Sequence, residues 1–114
     1  KTFTPVTLSR QIPIGYKVLH GKDIGKRDRV GTIVSLSKRS AEIRLEETIQ
    51  LLTNLKMNLA GVEEDLAGKN FYGKVTAHVE NDKLTHNIRF TAIPPELKSY
   101  FQAIRRYGGT PTSR

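Results

Sequence analysis

The sequence contains no cysteine, and this absence excludes several classes of site. Without cysteine the chain has no disulfide framework, no thiolate nucleophile and no cysteine-based metal site. No apolar run approaches the roughly 20 residues that a membrane-spanning helix needs, so no membrane insertion is expected. The first eight residues show no signal peptide. Acidic residues are scarce, with 11 Asp and Glu against 19 Lys and Arg. The length of 114 residues suits one domain with one modest core.

Sequence motifs of enzymes are also missing. Gly21, Gly25 and Lys26 have the wrong spacing for a phosphate-binding loop, and no Ser or Thr follows Lys26. No zinc-protease or serine-hydrolase motif is present. The three histidines, His20, His78 and His86, lie far apart in sequence, and His86 falls on the apolar face of its segment, as a core histidine does. We therefore predict no catalytic residues, no metal site and no cofactor.

The basic excess belongs to the first part of the chain. Residues 1–45 hold ten basic and three acidic residues, a net charge of +7. Residues 46–114 hold nine basic and eight acidic residues, a net charge of +1. This asymmetry favours an anionic partner, such as a phosphate-bearing ligand, a nucleic acid or an acidic protein face. The alternative is a hydrated basic surface that keeps the domain in solution.

Apolar and polar residues alternate in several short segments, which predicts β-strands with one face buried. The predicted strands cover residues 12–18, 29–36, 41–45, 55–59, 71–79 and 84–92. The last two flank the polar pair Asn81-Asp82, which is typical of a β-hairpin. Residues 20–28 and the acidic stretch 61–69 are predicted to be loops.

After Pro94-Pro95 the apolar residues recur at helical spacing. The apolar stripe comprises Leu97, Tyr100, Phe101, Ile104 and Tyr107. Glu96 near the start and Arg105-Arg106 near the end match the helix dipole. The spacing predicts a helix over about 95–107 that covers one opening of a sheet or barrel. Its polar face has too few Lys and Arg to favour a helix that lies on a membrane surface.

Six short antiparallel strands and one C-terminal helix predict a mainly β fold, a small six-stranded barrel that the helix closes. Residues 1–9 are expected to form an N-terminal arm, and residues 10–107 the barrel and helix. Residues 108–114, which contain Gly, Thr, Pro and Ser, are expected to form a flexible tail or linker.

The order of these elements resembles that of a PilZ domain. The segments that carry the resemblance are residues 10–14, 31–43, 71–75, 87–91 and 95–105, and together they span roughly residues 10–107. PilZ domains are six-stranded β-barrels with a C-terminal helix. The resemblance implies a bacterial cytoplasmic module that binds cyclic di-GMP and passes the signal to a fused domain or a partner protein.

The family binds cyclic di-GMP with an RxxxR motif and a [D/N]xSxxG motif, and this sequence departs from both. Ser35 stands where the second motif has Asp or Asn, Ser37 is retained, and Ser40 replaces the glycine. Arg10 stands where the second arginine of RxxxR belongs, but Val6 occupies the position of the first. Two planar guanidinium groups suit guanine edges and phosphates. The missing arginine therefore implies that cyclic di-GMP binding is weak or lost.

Several functions remain open at this point. The first is a non-catalytic regulatory or adaptor domain of a larger bacterial signalling protein; as a pure interaction module it would expose an apolar patch. The second is a working cyclic di-GMP sensor with an altered site. The candidate ligand-binding residues are Arg10, Ser35, Ser37, Lys38, Arg39 and Ser40. The third is a basic β-barrel that binds single-stranded nucleic acid, which the small number of aromatic residues in the basic segment disfavours.

Overall fold

Strands dominate the computed structural model, which describes residues 5–20, 23–24 and 28–111. In chain order the elements are β1 (Val6–His20), β2 (Asp23–Ile24), β3 (Arg29–Leu36), β4 (Ser40–Arg44), β5 (Asn54–Leu59), α1 (Glu64–Ala67), β6 (Asn70–Val79), β7 (Asp82–Ala92), α2 (Pro95–Tyr107) and β8 (Gly109–Pro111). All six predicted strands and the predicted C-terminal helix are present, so the mainly β assignment is confirmed.

Six of the strands form a closed antiparallel barrel in the order β1-β3-β4-β7-β6-β5, and β5 returns to β1. Closure depends on β1, which pairs with β3 on one side and with β5 on the other. Ile14, for example, lies opposite both Gly31 and Leu59. The predicted six-stranded barrel is therefore confirmed, and closure leaves these strands with little unpaired edge.

Alternating side chains fill the barrel interior. On β1 the buried residues are Leu8, Ile12, Ile14, Tyr16 and Val18. The buried residues of the other five barrel strands include Ile33, Ile43, Leu55, Phe71 and Ile88. The Tyr16 hydroxyl reaches the backbone beyond β4, where it accepts a hydrogen bond from the N–H of Glu46 at 3.0 Å. The buried phenol therefore has the polar partner that a core tyrosine requires.

The β6–β7 hairpin departs from simple alternation in its middle. Its register shifts between Val75 and Ala77, and Ala77 is exposed, whereas strict alternation predicts it on the face of Val75. A bulge of this kind places an extra residue in one strand and reverses the face of the residues that follow. At Gly73 the strands approach closely, because a Cβ there would lie 2.5 Å from the Ile88 side chain and 2.9 Å from the Arg89 carbonyl oxygen.

Four predicted irregular segments contain regular structure. The acidic stretch 61–69 includes α1, one turn of helix with Glu64 and Asp65 at its start, where acidic residues are favourable. The predicted arm and the predicted tail meet, because residues 6–8 of β1 pair with residues 109–111 of β8. Of the predicted loop 20–28, residues 23–24 form β2, and residues 21–22 and 25–27 lie outside the described residues.

Helix α2 packs on the barrel through an aromatic cluster. Leu97 and Phe101 are fully buried, and the Phe101 ring lies 5.6 Å from that of Phe71 and 5.7 Å from that of Phe90. The predicted apolar stripe is thus confirmed, except that Tyr107 at its end is 80% exposed. Among the described residues, no helix is long and apolar enough to cross a membrane.

Replacement of Phe101 tests the contribution of this cluster. We expect Phe101→Ala to lower the free energy of unfolding by about 3–5 kcal/mol, because it leaves a cavity between α2 and the barrel. Tyr107→Ala, an exposed aromatic of the same helix, is the control and should change it by less than about 0.5 kcal/mol. Urea unfolding followed by circular dichroism measures both. Equal effects of the two substitutions would contradict this account of the helix.

Candidate functional site

The hairpin of β3 and β4 carries five of the six candidate residues, and its turn contains Ser37, Lys38 and Arg39. The Ser37 N–H donates a hydrogen bond to the Ser40 carbonyl at 2.8 Å, and the two hydroxyls lie 2.9 Å apart in a hydrogen bond of their own. The Arg105 guanidinium of α2 donates to the Ser37 carbonyl at 3.3 Å. These bonds fix the turn internally and tie it to the helix, so its conformation is defined before any ligand arrives.

Ser35 is engaged by a carboxylate of the neighbouring strand. It lies opposite Glu42 in the β3–β4 register, and its hydroxyl donates to Glu42 Oε1 at 2.9 Å. Ser35 is 2% exposed and Glu42 is 9% exposed. Ala41 and Ile43 are both in the core, so alternation places Glu42 on the outer face of the barrel. The hydroxyl and the carboxylate are therefore held together in a sheltered position outside the core.

A cavity of about 260 Å³ opens beside this pair, and we name it the serine cavity. Its lining residues are Pro5, Ser35, Ser37, Ser40, Ala41, Glu42 and Asn87. Among the described residues of this lining, the charged group is the Glu42 carboxylate, which attracts hydrogen-bond donors and repels phosphate. Chemically the serine cavity suits a neutral or cationic donor better than an anion.

Lys38 and Arg39 occupy the same turn but line a different cavity. This groove of about 230 Å³ lies between the turn, the end of β7 and the start of α2. We name it the basic groove, and its lining residues are Lys38, Arg39, Arg89, Phe90, Thr91, Ala92, Ile93 and Lys98. The basic groove can attract anions, whereas the serine cavity repels them. The sequence predicts the serine hydroxyls and the basic side chains in one site, and the turn places them in two separate cavities.

Arg10 lines a third cavity, of about 250 Å³, between β1, the residues after β5 and α2. Its neighbours there include Ile12, Val62, Tyr100 and Ile104. The structure therefore brings Ser35, Ser37 and Ser40 together, and Lys38 with Arg39, but it does not bring Arg10 to either group. The pairing of β1 with β3 shifts register between Thr7 and Ile12, and this irregularity surrounds Arg10.

Four residues that complete these cavities were not predicted from the sequence, namely Glu42, Asn87, Arg89 and Lys98. Arg89 and Asn87 reach the turn because they lie opposite Ser40 and Glu42 in the β4–β7 register. That register joins residues nearly fifty positions apart, and hydrophobic alternation does not specify which strands are neighbours. The signal that could have identified Glu42 is its alternation with Ala41 and Ile43, combined with its opposition to Ser35.

A second structured element, the loop of residues 45–53, is held by two histidines. The Ile49 N–H donates to His86 Nε2 at 2.8 Å, and the Ile49 carbonyl lies 2.6 Å from His78 Nε2, which must be its donor. His86 Nδ1 lies 2.8 Å from the Leu84 carbonyl, so Nδ1 carries the proton and Nε2 is free to accept. The predicted core position of His86 is confirmed, since this ring is fully buried.

The same loop presents two leucines to solvent. Leu51 is 52% exposed and Leu52 is 68% exposed. Leu52 also has a left-handed backbone conformation, with φ of 70°, which is unfavourable for a residue with a Cβ. Its N–H donates to the Val75 carbonyl at 2.7 Å, and the Val75 N–H donates to the Thr53 carbonyl at 3.0 Å. We name Leu51 and Leu52 together the dileucine loop. Its backbone is fixed by hydrogen bonds, although its side chains are exposed.

Comparison with known proteins adds no family. No protein-family model matches the chain, and no curated protein matches it.

The histidine contacts predict a pH-dependent stability. Burial lowers the pKa of His86 below its ordinary value of about 6.5; the Leu84 hydrogen bond and Asp82 oppose this effect, and nearby His78 adds to it. The unfolded chain therefore binds this proton more tightly than the folded chain. We expect the free energy of unfolding to be highest above about pH 7 and to fall as the pH decreases below about 6.5.

Urea unfolding between about pH 7.5 and pH 5 measures this loss. His86→Gln is the matched variant, because its amide oxygen can accept from the Ile49 N–H without titrating. It should show a smaller fall over the same range. A fall of equal size in the variant would mean that other groups cause it.

Proposed function

We propose that this chain is a non-catalytic regulatory or adaptor domain of the PilZ kind, in which cyclic di-GMP binding is weak or lost. Its role is then to contact a partner protein or a fused signalling domain. The closed six-stranded barrel with a C-terminal helix is the fold that this proposal requires. The observation that carries the proposal is the hydrogen bond between Ser35 and Glu42.

That hydrogen bond lies where the family uses Asp or Asn to hold guanine. Here the position has a short hydroxyl, and that hydroxyl is already donated to a carboxylate. A cyclic dinucleotide bound against it would bring phosphates toward the Glu42 charge, in a sheltered site where repulsion is poorly screened. Arg10, which should attract the phosphates, lines another cavity. Each of these features disfavours cyclic di-GMP.

The dileucine loop supports the adaptor part of the proposal. Leu51 and Leu52 are exposed, so their side chains add little to the packing of the barrel core. A strained residue such as Leu52 that the fold maintains is often functional. Two ordered apolar side chains can enter an apolar pocket of a partner protein with little further loss of conformational freedom. An interaction module is expected to expose an apolar patch, and Leu51 and Leu52 match that expectation.

Titration calorimetry with cyclic di-GMP tests the ligand part of the proposal. We expect no saturable heat from the natural chain at ligand concentrations up to the high micromolar range. The matched variant is Val6→Arg, Ser35→Asn and Ser40→Gly together, which restores both family motifs. Asn is preferred to Asp at position 35, because a second carboxylate beside Glu42 would be repelled.

We expect the restored variant to bind, provided that circular dichroism shows it to be folded. Micromolar binding by the natural chain would instead support a sensor with an altered site. A folded variant that also fails to bind would contradict the PilZ assignment of the serine cavity.

Replacement of Leu52 tests whether this leucine contributes to folding. Leu52→Gly removes the left-handed strain of about 1–2 kcal/mol, and the greater freedom of glycine in the unfolded chain offsets about 0.5–1 kcal/mol of that gain. We expect the free energy of unfolding to stay within about 1 kcal/mol of the natural value. Leu55→Ala, in the core, should lose about 2–5 kcal/mol by the same urea assay. A comparable loss for Leu52→Gly would show that the leucine is required by the fold.

A further inference from the structure

We propose that the basic groove is a binding site for a small molecule that bears terminal phosphate groups. The site is distinct from the serine cavity, and the inference does not depend on the PilZ assignment. Its four cations, Lys38, Arg39, Arg89 and Lys98, come from the β3–β4 turn, from β7 and from α2. All four residues are exposed, and among the described residues that line the groove none is acidic.

The backbone brings these cations together. Arg89 lies opposite Ser40 in the β4–β7 register, and the Phe90 N–H donates to the Arg39 carbonyl at 2.8 Å. Lys98 lies in the first turn of α2, which begins three residues after β7 ends. The positive end of the α2 dipole therefore adds to the potential of the same groove. The cluster is a property of the fold and does not depend on one flexible loop.

Like charges are concentrated here at a cost to stability. Lys74 lies directly opposite Arg89 in the β6–β7 register, and like charges at such positions are destabilising. A ligand with two or more negative charges would relieve the repulsion in the groove.

The size and floor of the groove favour a compact phosphate ligand over a long polyanion. Four cations around about 230 Å³ concentrate their charge on one group, whereas a nucleic-acid strand needs a track of cations along its backbone. Arginine binds phosphate through two parallel hydrogen bonds, and lysine adds a point charge. Phe90 and Ile93 add apolar surface, and the Phe90 ring is supported by its stacking on Phe101. An organic group attached to the phosphate can lie on this surface.

NMR titration of the full chain tests the proposal, with inorganic pyrophosphate, ADP and adenosine as probes. We expect pyrophosphate and ADP to cause saturable shifts of the Thr91 and Ala92 amides, and adenosine to cause none. Tighter binding of ADP than of pyrophosphate would identify the source of the phosphate as an organic molecule. Equal affinities would identify a free polyphosphate. Saturable binding of adenosine with the same affinity as ADP would overturn the proposal.

Charge reversal supplies the matched controls. Arg89→Glu and Lys98→Glu, both at exposed positions, should each weaken ADP binding by about tenfold or more. Lys83→Glu makes the same change in net charge at the start of β7 and should alter the affinity by less than about twofold. An equal loss in the Lys83→Glu variant would overturn the site. So would a single-stranded DNA oligomer that binds more tightly than ADP and is released steeply by salt. Cyclic di-GMP is absent from this experiment, so its outcome is independent of the calorimetry above.

Discussion

The pairing of β1 with two strands at once is the constraint on which the rest of the molecule depends. Residues 14–16 of β1 lie between β3 and β5, and this double pairing converts an open sheet into a barrel. Closure places the alternating apolar residues of six strands in a single interior. It also gives hydrogen-bond partners to most of the backbone groups along the strand edges. It also determines which outer surfaces are adjacent, and therefore where each cavity can lie.

Because the barrel interior is filled by side chains, all the candidate chemistry is confined to its outer surface and its loops. The short β3–β4 turn has two sides, and a carboxylate controls one of them while cations control the other. Arg105 links this turn to α2, and the aromatic ring of Phe101 links α2 to the core. The geometry of both surfaces is therefore coupled to the packing of one helix. A change in that packing would alter both at once.

Local patterns in the sequence were sufficient for the six barrel strands and for α2, but they did not determine the site. Alternation identified the strands, and the helical spacing of Leu97 and Phe101 identified α2, because both periods are properties of a few neighbouring residues. The assembly of the cavities depends on strand order and register. For this reason the sequence did not predict that Arg89 lies beside Arg39. Nor did it predict the irregular register around Arg10, which lies apart from Ser35. Departures such as the bulge after Val75 also follow from tertiary pairing.

The pairing of β8 with the start of β1 has a consequence for how this domain can be built into other chains. Residues 6–8 and 109–111 run side by side as antiparallel neighbours, so the two ends of the described fold are separated by about 5 Å, the spacing of adjacent strands. A domain whose ends meet in this way can be inserted into a surface loop of another protein without forcing the loop apart. It also suits circular permutation, in which a short linker joins the two ends and the chain is opened at another loop. Pulling the two ends apart would separate β8 from β1 one residue pair at a time, so under such a load this junction would open before the barrel.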